Sequence, residues 1–552
     1  MGSEKINRNY LTPLYRDSYL FIRVSFLFLL LLFIRNASAD YFTEIQKESG
    51  LDFLHDNGNS HQFYYPEIVG SGVALIDNDN DGDLDIYMLQ SGSFEQNTQK
   101  DKFFKNTFIE KNKLAFIDVT SQYELENYAY GIGVAKADIN NDGWEDLLLT
   151  QLNQNQILLN QQGKSFKPIN LKNEKWSTAA SFCDINNDGY QDVYISNYVA
   201  WSPKNNPKCF NASSKQNYCG PDSFSGLKDT FYLNENKNLI DKTQVYFPNM
   251  PALPGLNVVC RDVNRDGWND FIVANDGKAN LLWLNQQGKS FKESGLLSGL
   301  AVNAQGVTEA SMGMALGDFD VDGDDDVFFT HLMSETNTLY KNNANGSFQD
   351  ITNRSKLAKP GFAYTGWSTY FLMVNNDIYP DLVVFNGAVE DTKPDTDLET
   401  DLKQPNQLYI NVRGKHYNTV INEPWLQNKD VTRGVAFGDL DNDGDVDMVV
   451  NNNNGNAQIL LNNLNPKIWL GFQIDDTKNT NFEIELSNKT QKFKVNSNSD
   501  GSYASAHDSR VVINEAQLAT FEIISFYKHA KLIKSMMLSK IPHNKYNRIT
   551  VE

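Results

Sequence analysis

Apolar residues along most of this chain come in short β-rich runs separated by polar turns, and few stretches show the spacing of an amphipathic helix. The runs fall into ordered sets. A stretch of small and apolar residues, such as Gly131-Ile132-Gly133-Val134-Ala135 or Gly434-Val435-Ala436-Phe437-Gly438, suits a tightly packed inner strand. An acidic turn follows it, and then a second run such as Leu84-Asp85-Ile86-Tyr87, Asp192-Val193-Tyr194-Ile195, Asp270-Phe271-Ile272-Val273 or Val446 to Val450. A third run is bounded by asparagines at 155–160, 280–285, 337–342, 406–411 and 456–462. A turn and a fourth run, as in Phe348-Gln349-Asp350-Ile351, close the set.

The acidic turn makes the repeat countable. Its pattern Asp-x-[Asp/Asn]-x-Asp-Gly-x-x-Asp begins at Asp77, Asp138, Asp184, Asp262, Asp318 and Asp439. A seventh, eroded copy ends at Asp381, with Met373 in place of the first acid, Asn375 third, Asp377 fifth and Ile378 in place of the glycine. The starts then lie 61, 46, 78, 56, 55 and 66 residues apart, room for four strands and their turns in each unit. Seven four-strand units with few helical signals predict an all-β fold, a seven-bladed β-propeller over residues 40–465. Tyr41 to Ile45 resembles the fourth runs yet precedes the first turn, so it is expected to supply the outer strand of the last blade. Residues 466–552 lack the motif and are expected to form a separate, small β-rich domain whose removal the ring should survive.

Aspartates at alternating positions bring hard oxygens to one side of a tight loop, and the glycine permits the sharp turn. An oxygen-only set of this flexible kind favours calcium. The candidate ligands are Asp77, Asp79, Asp81 and Asp85; Asp138, Asn140, Asp142 and Asp146; Asp184, Asn186, Asp188 and Asp192; Asp262, Asn264, Asp266 and Asp270; Asp318, Asp320, Asp322 and Asp326; and Asp439, Asp441, Asp443 and Asp447. About six ions are expected, with the tightest binding at the loops of Asp77, Asp318 and Asp439, which carry four acids each. An EF-hand would need glutamate at the twelfth position, where Met88, Leu149, Ile195, Val273, Phe329 and Val450 stand instead. Asp-Gly turns also occur without any ion, but six loops with this many carboxylates would repel themselves if empty.

On these residues the chain resembles the FG-GAP and VCBS-type calcium repeats of the integrin α-subunit propeller, and more closely the secreted family of cartilage acidic protein and its bacterial relatives. The likeness is carried by Pro66 to Ala74, by Cys219-Gly220-Pro221 and by Arg433 to Asp439. In the tail, Gly501-Ser502-Tyr503-Ala504-Ser505 and Arg510 are similar to the start of an ASPIC/UnbV domain, whereas Val512-Ile513-Asn514 and Phe526-Tyr527-Lys528 depart from its later pattern. The resemblance implies an extracellular or periplasmic calcium-binding protein with protein contacts.

Charge and the N-terminus bear on partners and place. Lys5, Arg8, Arg16 and Arg23 precede the apolar run Val24 to Ile34, and Ala37-Ser38-Ala39 follows, which reads as a cleaved signal peptide over residues 1–39. The run is too short to span a bilayer. Loss of the leader takes the net charge from −20 to −23, which argues against a nucleic-acid partner. Of the four cysteines, Cys209 and Cys219 are expected to pair, and Cys183 and Cys260 to remain buried thiols. Gly163-Lys164-Ser165 and Gly288-Lys289-Ser290 lack the upstream glycine of a phosphate loop, and the seven histidines show no metal-ligand spacing. No catalytic set is recognisable. The function expected is therefore an exported binding or scaffold propeller for protein or glycan, ahead of a polysaccharide-active enzyme or an accessory factor in a biosynthetic pathway.

Overall fold

The computed structural model describes residues 40–550 except 95–98, 212, 391–401, 476–481, 496, 498 and 529, so the leader and its cleavage site lie outside the described residues. Seven four-stranded antiparallel sheets follow one another along the chain, each a blade whose inner strand leads through an acidic turn into the second. In blade 2, for example, Gly131–Ala137 pairs with Asp146–Gln151, then Asn155–Asn160, then Phe166–Leu171. The protein is an all-β, seven-bladed propeller.

Second strands sit in the middle of a blade with a neighbouring blade on either side, which is why they read as unbroken apolar runs rather than alternating ones. Leu147 and Leu149 pack toward blade 1 with Ala74, Tyr87 and Phe103, while Leu148 packs toward blade 3 with Phe182, Val193 and Ile195. Seven such inter-blade cores recur around the ring. The last joins blade 7 to blade 1. Closure comes from the N-terminus as the sequence suggests: Phe42–Glu44 pairs antiparallel with Gln458–Asn462 and completes the sheet of blade 7.

Two features differ from expectation. Cys183 and Cys260 are joined as a disulfide rather than left as thiols, because both end inner strands of adjacent blades and their Cα atoms stand 6.2 Å apart, within disulfide reach. The Cys209–Cys219 bridge forms as expected, across the hairpin in the insertion of blade 3. The second difference is the tail. Its strands build their own core, yet Tyr41–Glu552 is one compact unit.

The reason lies in residues 499–510, which enter the middle of the ring. Ser502 exchanges backbone hydrogen bonds with Met314 of blade 5, Val134 of blade 2 donates to Ala504, and Ala506 bridges blade 1. At the tip, Tyr503 is fully buried against Trp367, with its hydroxyl donating to the Val69 carbonyl. Gly72 and Gly133 make room: a Cβ at Gly72 would lie 2.3 Å from the Ala504 oxygen, and one at Gly133 3.0 Å from the Ala504 Cβ. The small inner-strand residues thus serve a filled channel.

Candidate metal centres

Every acidic loop turns the same way. The fourth residue takes left-handed backbone angles (Asn80, Asn141, Asn187, Arg265, Val321, Asn442), and so does the glycine at the sixth. The first aspartate accepts from the amide of position six, and outside blade 1 from position five as well, as Asp138 does from Gly143 (2.7 Å) and Asp142 (3.0 Å). The ninth aspartate is deeply buried and outside blade 1 accepts twice, Asp270 from Val263 at 3.2 Å and from Asn285 at 2.8 Å.

That second donor recurs in all seven blades. The asparagine ending the third strand gives its amide N–H to the ninth aspartate: Asn106, Asn160, Asn234, Asn285, Asn342, Asn411 and Asn462. Each also donates its side-chain Nδ2 to a carbonyl in the loop of the preceding blade, Asn106 reaching Leu440 and Asn462 reaching Met373. These stitches run once around the ring. Their signal was present in the sequence as the asparagine that bounds each third run, but nothing in the spacing says what it touches.

The loops therefore gather as the motif demands, though not equally. Carboxylate oxygens of Asp77, Asp79 and Asp81, of Asp318, Asp320 and Asp326, and of Asp439, Asp441 and Asp447 each lie within 4.8 Å of one another. In blades 2, 3 and 4 asparagine holds the third position (Asn140, Asn186, Asn264). Several oxygens at ligand positions are buried without a donor: Asp77 Oδ1, Asn140 Oδ1, Asp320 Oδ1 and Asp441 Oδ1. Buried acceptors are normally satisfied, so orphans at these positions fit a cation. Burial and neighbouring carboxylates push the first aspartates up, Asp77 and Asp439 to about 7, Asp184 and Asp262 to about 6 and Asp318 to about 8.

The eroded loop has a physical cause. Met373, Ile378 and Tyr379 pack against the core of the tail, as does Val321 from the loop of blade 5. Apolar contact has replaced the ligand set in blade 6, while Asp381 keeps both backbone bonds of the ninth position. The tail touches other loops through polar groups. Arg510 donates to the Gly82 and Asp439 carbonyls and to Asn442 Oδ1, Tyr546 donates to Asp439 Oδ2 at 2.8 Å, and the Lys494 amide donates to Asp318 Oδ2. Between the tail and the loops of blades 1 to 3 a cavity of about 420 Å³ remains, lined by Lys136, Glu145, Ser181, Asp500 and Asp508 among others.

One Ser–His–carboxylate arrangement emerges that spacing did not suggest. Ser311 Oγ lies 3.0 Å from His331 Nε2, and Glu309 is 3.7 Å from Nδ1. All three are buried, and His331 stands where the other blades place Gln90, Gln151, Asn197, Asn275 or Asn386. It makes the same brace, its backbone amide donating to Asn337 Oδ1. The arrangement is part of the blade.

Comparison with known proteins bears on the repeats directly. A family model described as an FG-GAP-like repeat matches residues 108–195, 262–329 and 318–384. The repeats are FG-GAP-like. Integrin alpha-3 of Mus musculus is 31% identical over 28% of this chain, and cartilage acidic protein 1 of Xenopus tropicalis is 24% identical over 72% of it. The chain spans 16% of that integrin subunit's length and 59% of that cartilage acidic protein's. Among solved structures, YCF48 bound to a D1 peptide is similar with a TM-score of 0.41 at 7% identity, covering 77% of this chain and 95% of that one. An Agrocybe aegerita lectin recognising terminal N-acetylglucosamine gives 0.39 at 12%, covering 70% and 85%. The matched FG-GAP segments take in whole the acidic loops of blades 2 to 5 and the eroded loop of blade 6.

Proposed function

We propose that this FG-GAP propeller is an exported binding scaffold, and not an enzyme, whose ring is stabilised by calcium in six loops and which engages an extracellular or periplasmic protein or glycan. The reading rests above all on the orphaned, buried oxygens at ligand positions around one face of the ring. Two disulfides suit an oxidising compartment, and among the described residues no helix is long and apolar enough to cross a membrane. The first, third, fifth and ninth residues of each loop would hold the ion, which supplies fixed positive charge where the carboxylates converge. Residues 466–552 we read as ASPIC/UnbV-like, since the Gly501 to Ser505 and Arg510 motif is the part that enters and latches the ring.

With its strands resting on the loop face, the tail leaves the opposite mouth as the face open to a partner. There Tyr64 meets Phe94 and Trp201 edge to face beside the Cys209–Cys219 hairpin, Tyr64 and Phe94 partly exposed over a buried Trp201. Such amphipathic rings suit peptide or sugar faces. Thermal melts test the calcium reading: millimolar calcium should raise the Tm by several degrees over excess EDTA, by mass action on the native loops. Identical melts with no heat of calcium binding would sink it.

A further inference from the structure

The residue just before the stitching asparagine packs in or against an inter-blade core in five blades and differs in the other two. It is Leu159, Leu233, Leu284, Ile410 and Leu461 in blades 2, 3, 4, 6 and 7, but Lys105 in blade 1 and Lys341 in blade 5. Both lysines reach into the ligand set. Lys105 Nζ lies 2.5 Å from Asp79 Oδ2, 3.5 Å from Asp81 Oδ2 and 3.2 Å from Glu110. Lys341 pairs with Asp320 and, at 2.6 Å, with Asp322 Oδ2. Each ammonium thus grips the third- and fifth-position carboxylates that a calcium ion would need.

The seven blades serve as controls for one another. Blades 2, 3 and 4 have asparagine at the third position, so their loops carry −3 at the four ligand positions, and they have leucine in place of the lysine. Blades 1 and 5 have aspartate there, and the lysine brings the loop from −4 back to −3. Blade 7 has the fourth aspartate, Asp441, with Leu461 opposite, and the nearby Arg510 is already paired with Asp508 at 2.9 Å. Blade 7 thus combines four acids with no lysine; its Asp441 Oδ1 is buried without a donor, as are Asp77 Oδ1 and Asp320 Oδ1 in blades 1 and 5.

Resting on the calcium reading above, we propose that Lys105 and Lys341 are tethered cations that hold the loops of blades 1 and 5 together without metal and must be displaced when calcium enters. Calcium sites in this chain then fall into two classes. The loop of Asp439 is the tightest, and the loops of Asp77 and Asp318 are weaker than their four acids imply, since part of each binding event is spent breaking an ion pair.

The test compares wild type with the double variant Lys105→Leu/Lys341→Leu, which installs the residue four other blades carry. Lys105→Gln/Lys341→Gln is the fallback should leucine impair folding. In EDTA the variant should melt lower than wild type, because the third- and fifth-position carboxylates of its two loops lose the cation between them. In calorimetric titration with calcium alone, two sites should bind about fivefold more tightly, the size two partly exposed ion pairs support. Opposite signs in the two experiments are the signature of displacement. Unchanged or weaker calcium binding in a variant that folds would overturn the inference while leaving the calcium reading intact; absence of binding by wild type would overturn both.

Discussion

A buried carboxylate is costly unless something answers its charge, and here single aspartates are answered from several sides. The ninth aspartate is held by two backbone amides in blades 2 to 7 and by that of Asn106 in blade 1, and burial pushes it above the usual range, in the eroded loop of blade 6 as much as in the others. It therefore braces the blade whether or not an ion is bound. Asp77, Asp184, Asp262, Asp318 and Asp439, raised to between about 6 and about 8, give the metal-free protein a definite pH response. A carboxyl whose folded pKa lies above its unfolded value near ~4 favours the folded state when protonated, and that stability is lost as pH rises through the folded value. In EDTA the Tm should fall between pH 5 and pH 8. Saturating calcium should flatten or reverse the slope; a metal-free Tm that climbs over this window would contradict the assignment of strain to these loops.

At the level of strands, closure depends on three residues of the N-terminal segment. Phe42 is buried against Trp425, their ring centroids 5.6 Å apart, and the Tyr41 amide donates to Glu423. Phe42→Ala should cost about 3 to 5 kcal/mol in denaturant unfolding. Deleting residues 40–48 should do worse by leaving an unpaired edge on blade 7, seen as a much lower Tm or as aggregation. If both proteins unfold like wild type, the ring closes some other way. This element was legible beforehand because the phenylalanine-led pattern of a fourth strand stood where no blade had yet begun. So were the loops and the inner strands, whose chemistry is local and periodic. What escaped notice depends on which strands lie side by side: Cys183 and Cys260 are 77 residues apart and meet only once blades 3 and 4 do. The lysines were hidden likewise, since Lys105 reads as an ordinary polar strand residue until its strand folds back over the turn.

Across the whole molecule the tail changes the reckoning most. Its sequence predicts a module the ring can lose, because its own strands share a core and it carries no acidic motif. The structure instead places Tyr503 at the centre of the propeller and Arg510 across the loops of blades 7 and 1. No periodicity announces a single excursion into a channel; only the small residues of the inner strands hinted that something had to fit there. Removal of residues 467–552 should accordingly leave a glycine-lined hole and a destabilised ring. The milder Tyr503→Ala should cost about 3 to 5 kcal/mol by chemical denaturation, as large aromatic deletions in cores do. Wild-type stability in that variant would show the channel filling to be dispensable.

The pairing of Phe42 with Asn462 joins positions 420 residues apart, and the central excursion comes later still in the chain. A closed ring therefore cannot exist before the last blade has been made; until then the first waits with one side uncovered. Such long-range pairing is slow to form and exposes sheet edges meanwhile. Ring closure is therefore late, so any chain interrupted before the seventh blade remains open and recognisable as unfinished.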